Sequence, residues 1–206
     1  MKKIFYLILI ILVTVDIYGQ DKYLNPCIDF GGEIEQINKY NQDLETLINS
    51  RFKQDYLIRF IAKPSFSSEY SFQIEKDSLN YMIKTIMFQE NIWYSKNRDS
   101  IKLNYTETII DSLMVKSIDR LYDKITSSAM NRKEWIGGGE DGETYLFYKT
   151  TNVGLKNCGE CWSPSEGTPL FELVSICNSL IDKTEKKNAD FENVIERINL
   201  LYDKIE

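Results

Sequence analysis

Tyr56-Leu57-Ile58-Arg59-Phe60-Ile61-Ala62-Lys63 and Glu69-Tyr70-Ser71-Phe72-Gln73-Ile74-Glu75-Lys76, separated by Pro64-Ser65-Phe66-Ser67-Ser68, decide the fold of this chain. In the first run Tyr56, Ile58, Phe60 and Ala62 share one face, while Arg59 and Lys63 point the other way. In the second, Tyr70, Phe72 and Ile74 oppose Ser71, Gln73 and Glu75. Successive side chains of a strand alternate between faces, so period-two patterning on both sides of a Pro/Ser turn predicts a β-hairpin. Its apolar face needs further strands beside it and helices over it.

Both are present on either side. Residues 101–109 alternate again at Ile101, Leu103 and Tyr105, whereas 80–94 read equally well as a short helix or as one or two strands. From 34 to 52, Ile34, Ile37, Leu44, Leu47 and Ile48 follow a helical stripe. Asp111-Ser112 is an N-cap signal ahead of Leu113, Ile118, Leu121, Tyr122 and Ile125. Gly137 to Gly139 break that pattern, and the turn signal Asp141-Gly142 leads into the strand-like Thr144–Thr151. Asn152 to Gly154 turn the chain back towards Cys161-Trp162. Thr168-Pro169 opens a helix striped by Leu170, Leu173, Val174, Cys177, Leu180 and Ile181. A last helix carries Phe191, Val194, Ile195, Ile198, Leu201, Tyr202 and Ile205 on one face. The expectation is an α+β single domain: an antiparallel sheet packed against helices and covered on one side.

The first residues address compartment. Lys2 and Lys3 precede twelve uncharged residues, Ile4 to Val15, closed by Asp16 and followed by Gly19. That length suits a signal-peptide core rather than a spanning helix of about 20 residues. Residues 1–19 are expected to be a signal peptide and 20–206 a single exported domain, periplasmic or secreted, with no transmembrane span after removal. Pro26 before Cys27 does not match a lipid-attachment motif. Cleavage at Gly19 removes two lysines and one aspartate, leaving 23 basic and 30 acidic residues and a formal charge of −7. An acidic chain without a basic stripe is not expected to bind nucleic acid.

Much catalytic chemistry is excluded by composition. The chain has no histidine, which removes Ser-His-Asp and Cys-His pairs and histidine-based metal sites. No phosphate-binding G-x-x-x-x-G-K-[ST] loop and no G-x-S-x-G elbow occur. Gly137–Gly142 is glycine-rich, but Glu140 and Asp141 would repel phosphate. Glu140, Asp141 and Glu143 could serve calcium or a glycosidase carboxylate pair, while the simplest reading is a solvated hairpin turn. No catalytic residue, metal ligand or cofactor is nominated.

Cys27, Cys158, Cys161 and Cys177 form an even set in an exported chain, which favours disulfides without fixing their pairing. Cys177 lies on an apolar stripe and is expected inside. Cys158-Gly159-Glu160-Cys161 has the C-x-x-C spacing of thioredoxin-like sites, but Pro164 blocks a helix from running smoothly out of it. A four-cysteine zinc site would lack its second C-x-x-C.

Lys63-Pro64-Ser65-Phe66-Ser67-Ser68-Glu69-Tyr70, Glu90-Asn91-Ile92-Trp93-Tyr94-Ser95, Asp141-Gly142-Glu143-Thr144-Tyr145 and Trp162-Ser163-Pro164-Ser165-Glu166-Gly167 together resemble a group of exported proteins common in Bacteroidetes-type bacteria. The resemblance covers about residues 55–182, implies a bacterial envelope setting, and brings no activity with it. Trp93, Tyr94, Tyr145, Phe147 and Trp162 read most simply as core or sheet-packing residues. The alternative is an exposed surface for protein or sugar, formed by Phe66, Trp93, Tyr94 and Trp162. The leading functional expectation is a non-catalytic domain binding another envelope or secreted protein. The alternatives are a carboxylate-based glycan hydrolase and an envelope thiol/disulfide protein.

Overall fold

The computed structural model describes residues 22–27, 35–77, 79–132, 141–187 and 190–205, so the expected signal peptide, the Gly137–Gly139 break and Glu140 lie outside the described residues. Among the described residues seven strands form one antiparallel sheet: β1 (Asn25–Pro26), β2 (Ile58–Pro64), β3 (Tyr70–Lys76), β4 (Tyr81–Phe88), β5 (Leu103–Ile110), β6 (Glu143–Thr150) and β7 (Lys156–Trp162). Their order is β1-β7-β6-β2-β3-β4-β5. The helices are α1 (Glu35–Asn49), α2 (Ser112–Met130), α3 (Pro169–Glu185) and α4 (Glu192–Lys204). The α+β expectation holds, and the hairpin that announced it is β2–β3, with Ile58 opposite Ile74 and Phe60 opposite Phe72.

One face is apolar, as the alternation requires. Ile58, Phe60, Phe72, Ile74, Ile83 and Phe147 pack there beneath α2, α3 and α4. Phe60 lies at its centre, with ring centroids 5.6 Å from Phe72 and 5.3 Å from Phe147. The helices begin where their caps direct. Asp111 accepts from the Met114 N–H at 2.7 Å, and Thr168 accepts from the Phe171 N–H ahead of a proline in the first turn.

The expected one-sided cover is corrected, because both faces are covered. Tyr40, Leu44, Ile48, Ile61, Ile86 and Ile92 belong to a second core that seats α1 and the β4–β5 connection on the opposite face. Ile61, Ile86 and Phe88 supply enough apolar area there, and the stripe of α1 has no other place to bury. That face also holds a buried polar row, Arg59, Gln73 and Lys84, side by side on adjacent strands. Arg59 Nε donates to Gln73 at 2.6 Å and stacks on Tyr56 at 4.3 Å. Gln73 and Lys84 both donate to Glu75, at 2.7 and 2.8 Å.

The two-residue β1 closes one edge of the sheet against β7, and its neighbour Leu24 is buried to 1% exposure. Gly159 makes room for it: a Cβ there would lie 2.7 Å from Leu24 Cδ1 and 3.1 Å from Ala129 Cβ. Gly159→Ala is therefore expected to lower stability by about 1–3 kcal/mol through overpacking. A shift of the urea unfolding midpoint at unchanged slope would show it.

Candidate functional site

Residues 63–70, 90–95, 141–145 and 162–167 converge on one end of the sheet, tied together by side-chain-to-backbone hydrogen bonds. Asn91 is the central tie. Its Nδ2 donates to the carbonyls of Pro64 and Ser67, while its Oδ1 accepts from the Trp93 and Tyr94 N–H groups. One side chain thus shapes the 91–94 turn and docks it on the β2–β3 loop. Ser65 and Gly142 exchange two bonds, Ser65 N–H to the Gly142 carbonyl and Gly142 N–H to Ser65 Oγ. Ser163 and Glu143 do the same at 2.8 Å each. Gly142 is required for space, since a Cβ would lie 2.7 Å from the Trp162 indole.

Beneath the turn sits Glu69, fully buried, accepting from the Ile92 N–H at 3.0 Å and from the Tyr40 hydroxyl at 3.0 Å. Burial pushes its carboxyl above the ordinary range, against the pull of these donors and of Lys63. Burial likewise lowers Lys63, whose Nζ donates to Asn41. Trp93 packs edge-on against Tyr40 at 5.5 Å between ring centroids.

Phe66 is 73% exposed, Tyr94 61% and Trp93 41%, whereas Trp162 is half-buried over Gly142. The sheet-packing reading is thus corrected for Trp93 and Tyr94, which sit on a turn and not in a strand. It holds for Tyr145 and Phe147, both buried on the helix-covered face.

Beside this end, β6, Ser163-Pro164 and α3 line an open cleft of about 590 Å³. Glu143 enters from the sheet and Asp182 from the helix, with Tyr145, Phe171, Val174 and Asn178 between them. The Tyr145 hydroxyl donates to Glu143 Oε2. Burial, the bond to Glu143 and nearby charge push Tyr145 far above the usual phenol range, so it stays a donor. Burial and the nearby Glu143 push Tyr70, beside Tyr145 and Asn178, up to about 12. The wall is held at the sheet side by the Tyr145–Glu143 bond. Behind it, Arg197 donates to Glu172, Ser179 and Ser175 at 2.8, 2.9 and 2.7 Å.

The cysteines separate by strand geometry. Cys27 and Cys158 form a disulfide with Cα atoms 5.5 Å apart, extending the β1–β7 pairing. Cys161 and Cys177 lie outside any disulfide and are buried. The C-x-x-C segment runs within β7, and residues three apart on a strand face opposite sides of the sheet. Cys158 and Cys161 thus form no adjacent dithiol, and the Cys27–Cys158 bond takes two of the sulfurs a four-cysteine zinc site would need. Cys177 is pushed up to about 12 by burial, against the pull of its 3.3 Å contact with the Tyr122 hydroxyl, which makes it an unreactive thiol. Among the described residues no cluster of three or more Cys, Asp or Glu is placed to hold a metal ion.

Sequence reasoning picked out Phe66, Trp93, Tyr94, Trp162 and Glu143. It missed Asn91, Glu69, Asn178 and Asp182, although Asn91 lay inside a quoted segment, ahead of a run of aromatics that a turn would expose. Comparison of the chain with protein families, with curated proteins and with solved structures gives no match.

Proposed function

We propose that this protein is an exported, non-catalytic binding domain that engages another envelope or secreted protein through the Phe66, Trp93, Tyr94 and Trp162 end of the sheet. One observation carries the proposal: exposed aromatic side chains stand on turns that Asn91, Ser65 and Glu69 hold in place. Large apolar area on an ordered backbone binds with little further loss of conformational entropy. Tryptophan and tyrosine are the residue types that dominate interface energetics. The disulfide fits an extracellular setting, and among the described residues no helix is long and apolar enough to cross a membrane. The acidic balance favours a partner with basic surface.

The test is affinity capture from envelope extract with the oxidised protein, its F66A/W93A/Y94A variant and Asn91→Ala. A protein partner should be recovered reproducibly by the wild type, lost with the triple variant and reduced with Asn91→Ala, which leaves the aromatics but frees their turn. Equal recovery by all three, or recovery of soluble sugar fragments alone, would refute the proposal.

A further inference from the structure

We infer that the cleft between β6 and α3 is a binding site for a neutral saccharide. Its volume of about 590 Å³ is that of a small-ligand pocket. Its walls offer both surfaces that a sugar ring presents. Phe171, 39% exposed at the cleft, lies with Val174 and the Tyr145 ring as apolar surface for a C–H face. Glu143, Asn178 and Asp182 supply acceptors and an amide for hydroxyl groups.

Charge selects the ligand class. Among the described residues the cleft is lined by two carboxylates and by no lysine or arginine, so a phosphate, sulfate or uronate would be repelled. A cation is drawn less than two bare carboxylates would suggest, because one of them is already paired with a lysine. Glu143 accepts from Tyr145, and Asp182 pairs with Lys186 at 2.6 Å. Arg197, itself paired with Glu172, is a second cation behind Ser175 and Ser179. What remains on Glu143 and Asp182 is lone-pair capacity with part of the charge balanced, which matches uncharged O–H donors. The Tyr145–Glu143 bond and the Arg197 bonds to Ser175 and Ser179 set this wall before any ligand arrives. The site goes beyond the protein-binding proposal and shares none of its exposed aromatics.

The test is titration of the oxidised protein with chitotriose, cellobiose, arginine amide and inorganic phosphate, followed by 1H–15N shifts. Saturable shifts at Ser163, Ser175 and the Asn178 side-chain amide are expected with at least one saccharide, and none with arginine amide or phosphate. Phe171→Ala and Glu143→Gln, both on the cleft surface, should each weaken saccharide binding by about tenfold, the size of one lost good contact. Absence of shifts with both saccharides, saturation of the same amides by arginine amide, or unchanged affinity in both variants would overturn the assignment. Cleavage of the bound saccharide would uphold the site while ending the non-catalytic reading. Loss of protein capture with saccharide binding intact would also uphold the site, and would overturn the protein-binding proposal instead.

Discussion

Replacing Glu75 with alanine should lower folding stability by about 3–5 kcal/mol, the range for removing one partner of a buried ion pair. Glu75 retains 3% side-chain exposure and Lys84 retains 11%, with 2.8 Å between them. Glu75 also accepts from Gln73 and from the Lys53 N–H, so the substitution strands a cation and two neutral donors at once. The pair itself adds little over an apolar substitute, since removing two charges from water offsets their attraction. The double variant E75L/K84M is accordingly expected to recover much of what Glu75→Ala loses. Urea unfolding of the three proteins measures both effects.

The same carboxylate fixes a pH signature. Burial alone would raise Glu75, but the hydrogen bonds from Lys84, Lys53 and Gln73 outweigh it and hold the group below the usual carboxylate range. The native state therefore binds fewer protons than the unfolded chain in acid, and stability climbs with pH across that window. The contribution is complete above the unfolded value of 4.5 and fades as pH falls through the folded value. The difference between wild type and Glu75→Ala should shrink accordingly. Glu69 acts with the opposite sign: raised by burial, it favours the native state only where it is protonated, and that benefit is lost as pH rises through its folded value.

The second large effect is expected at the disulfide. Changing Cys27 and Cys158 together to serine should lower stability by about 2–4 kcal/mol, because the bond closes a long loop and its release enlarges the unfolded ensemble. The separation is 131 residues, and the strand it secures contributes only two residues to the ladder. Arg132 offers some further hold, bonding the Tyr23 carbonyl at 3.3 Å and stacking on its ring. Reductant should lower the urea midpoint of the wild type and leave the double serine variant unmoved. An equal fall in both would mean that some other element holds β1 in place.

What could be read from the chain follows from which surfaces alternate. β2 and β3 have one face of Phe and Ile and another carrying Arg59, Gln73 and Glu75, so the hairpin was legible at once. β4 was not, since Ile83, Ile86 and Phe88 are buried on alternate sides of a sheet covered twice. β1 gives no pattern in two residues, one of them proline. The helices were visible by their stripes and caps, and α1 persists through the polar run 38–43 because Tyr40 and Leu44 remain on its buried side. The aromatic end was partly legible: Phe66 announced itself in a Pro/Ser loop, but exposure of Trp93 and Tyr94 depends on the turn that Asn91 forms. The cleft was not legible, because Glu143 and Asp182 are far apart in sequence and line one cleft only in the folded chain.

Strand order also sets a timetable. Among the described residues β1 comes first and pairs with β7 alone, so it must wait for residues 156–162 before it can dock. At about 5–20 residues per second that delay is roughly 7–26 s, during which the Cys27 thiol is exposed to any oxidant or stray thiol nearby. A newly made molecule therefore depends for its covalent closure on arrival of its own last strand, and premature capture of Cys27 would leave the finished sheet with an open margin along β7.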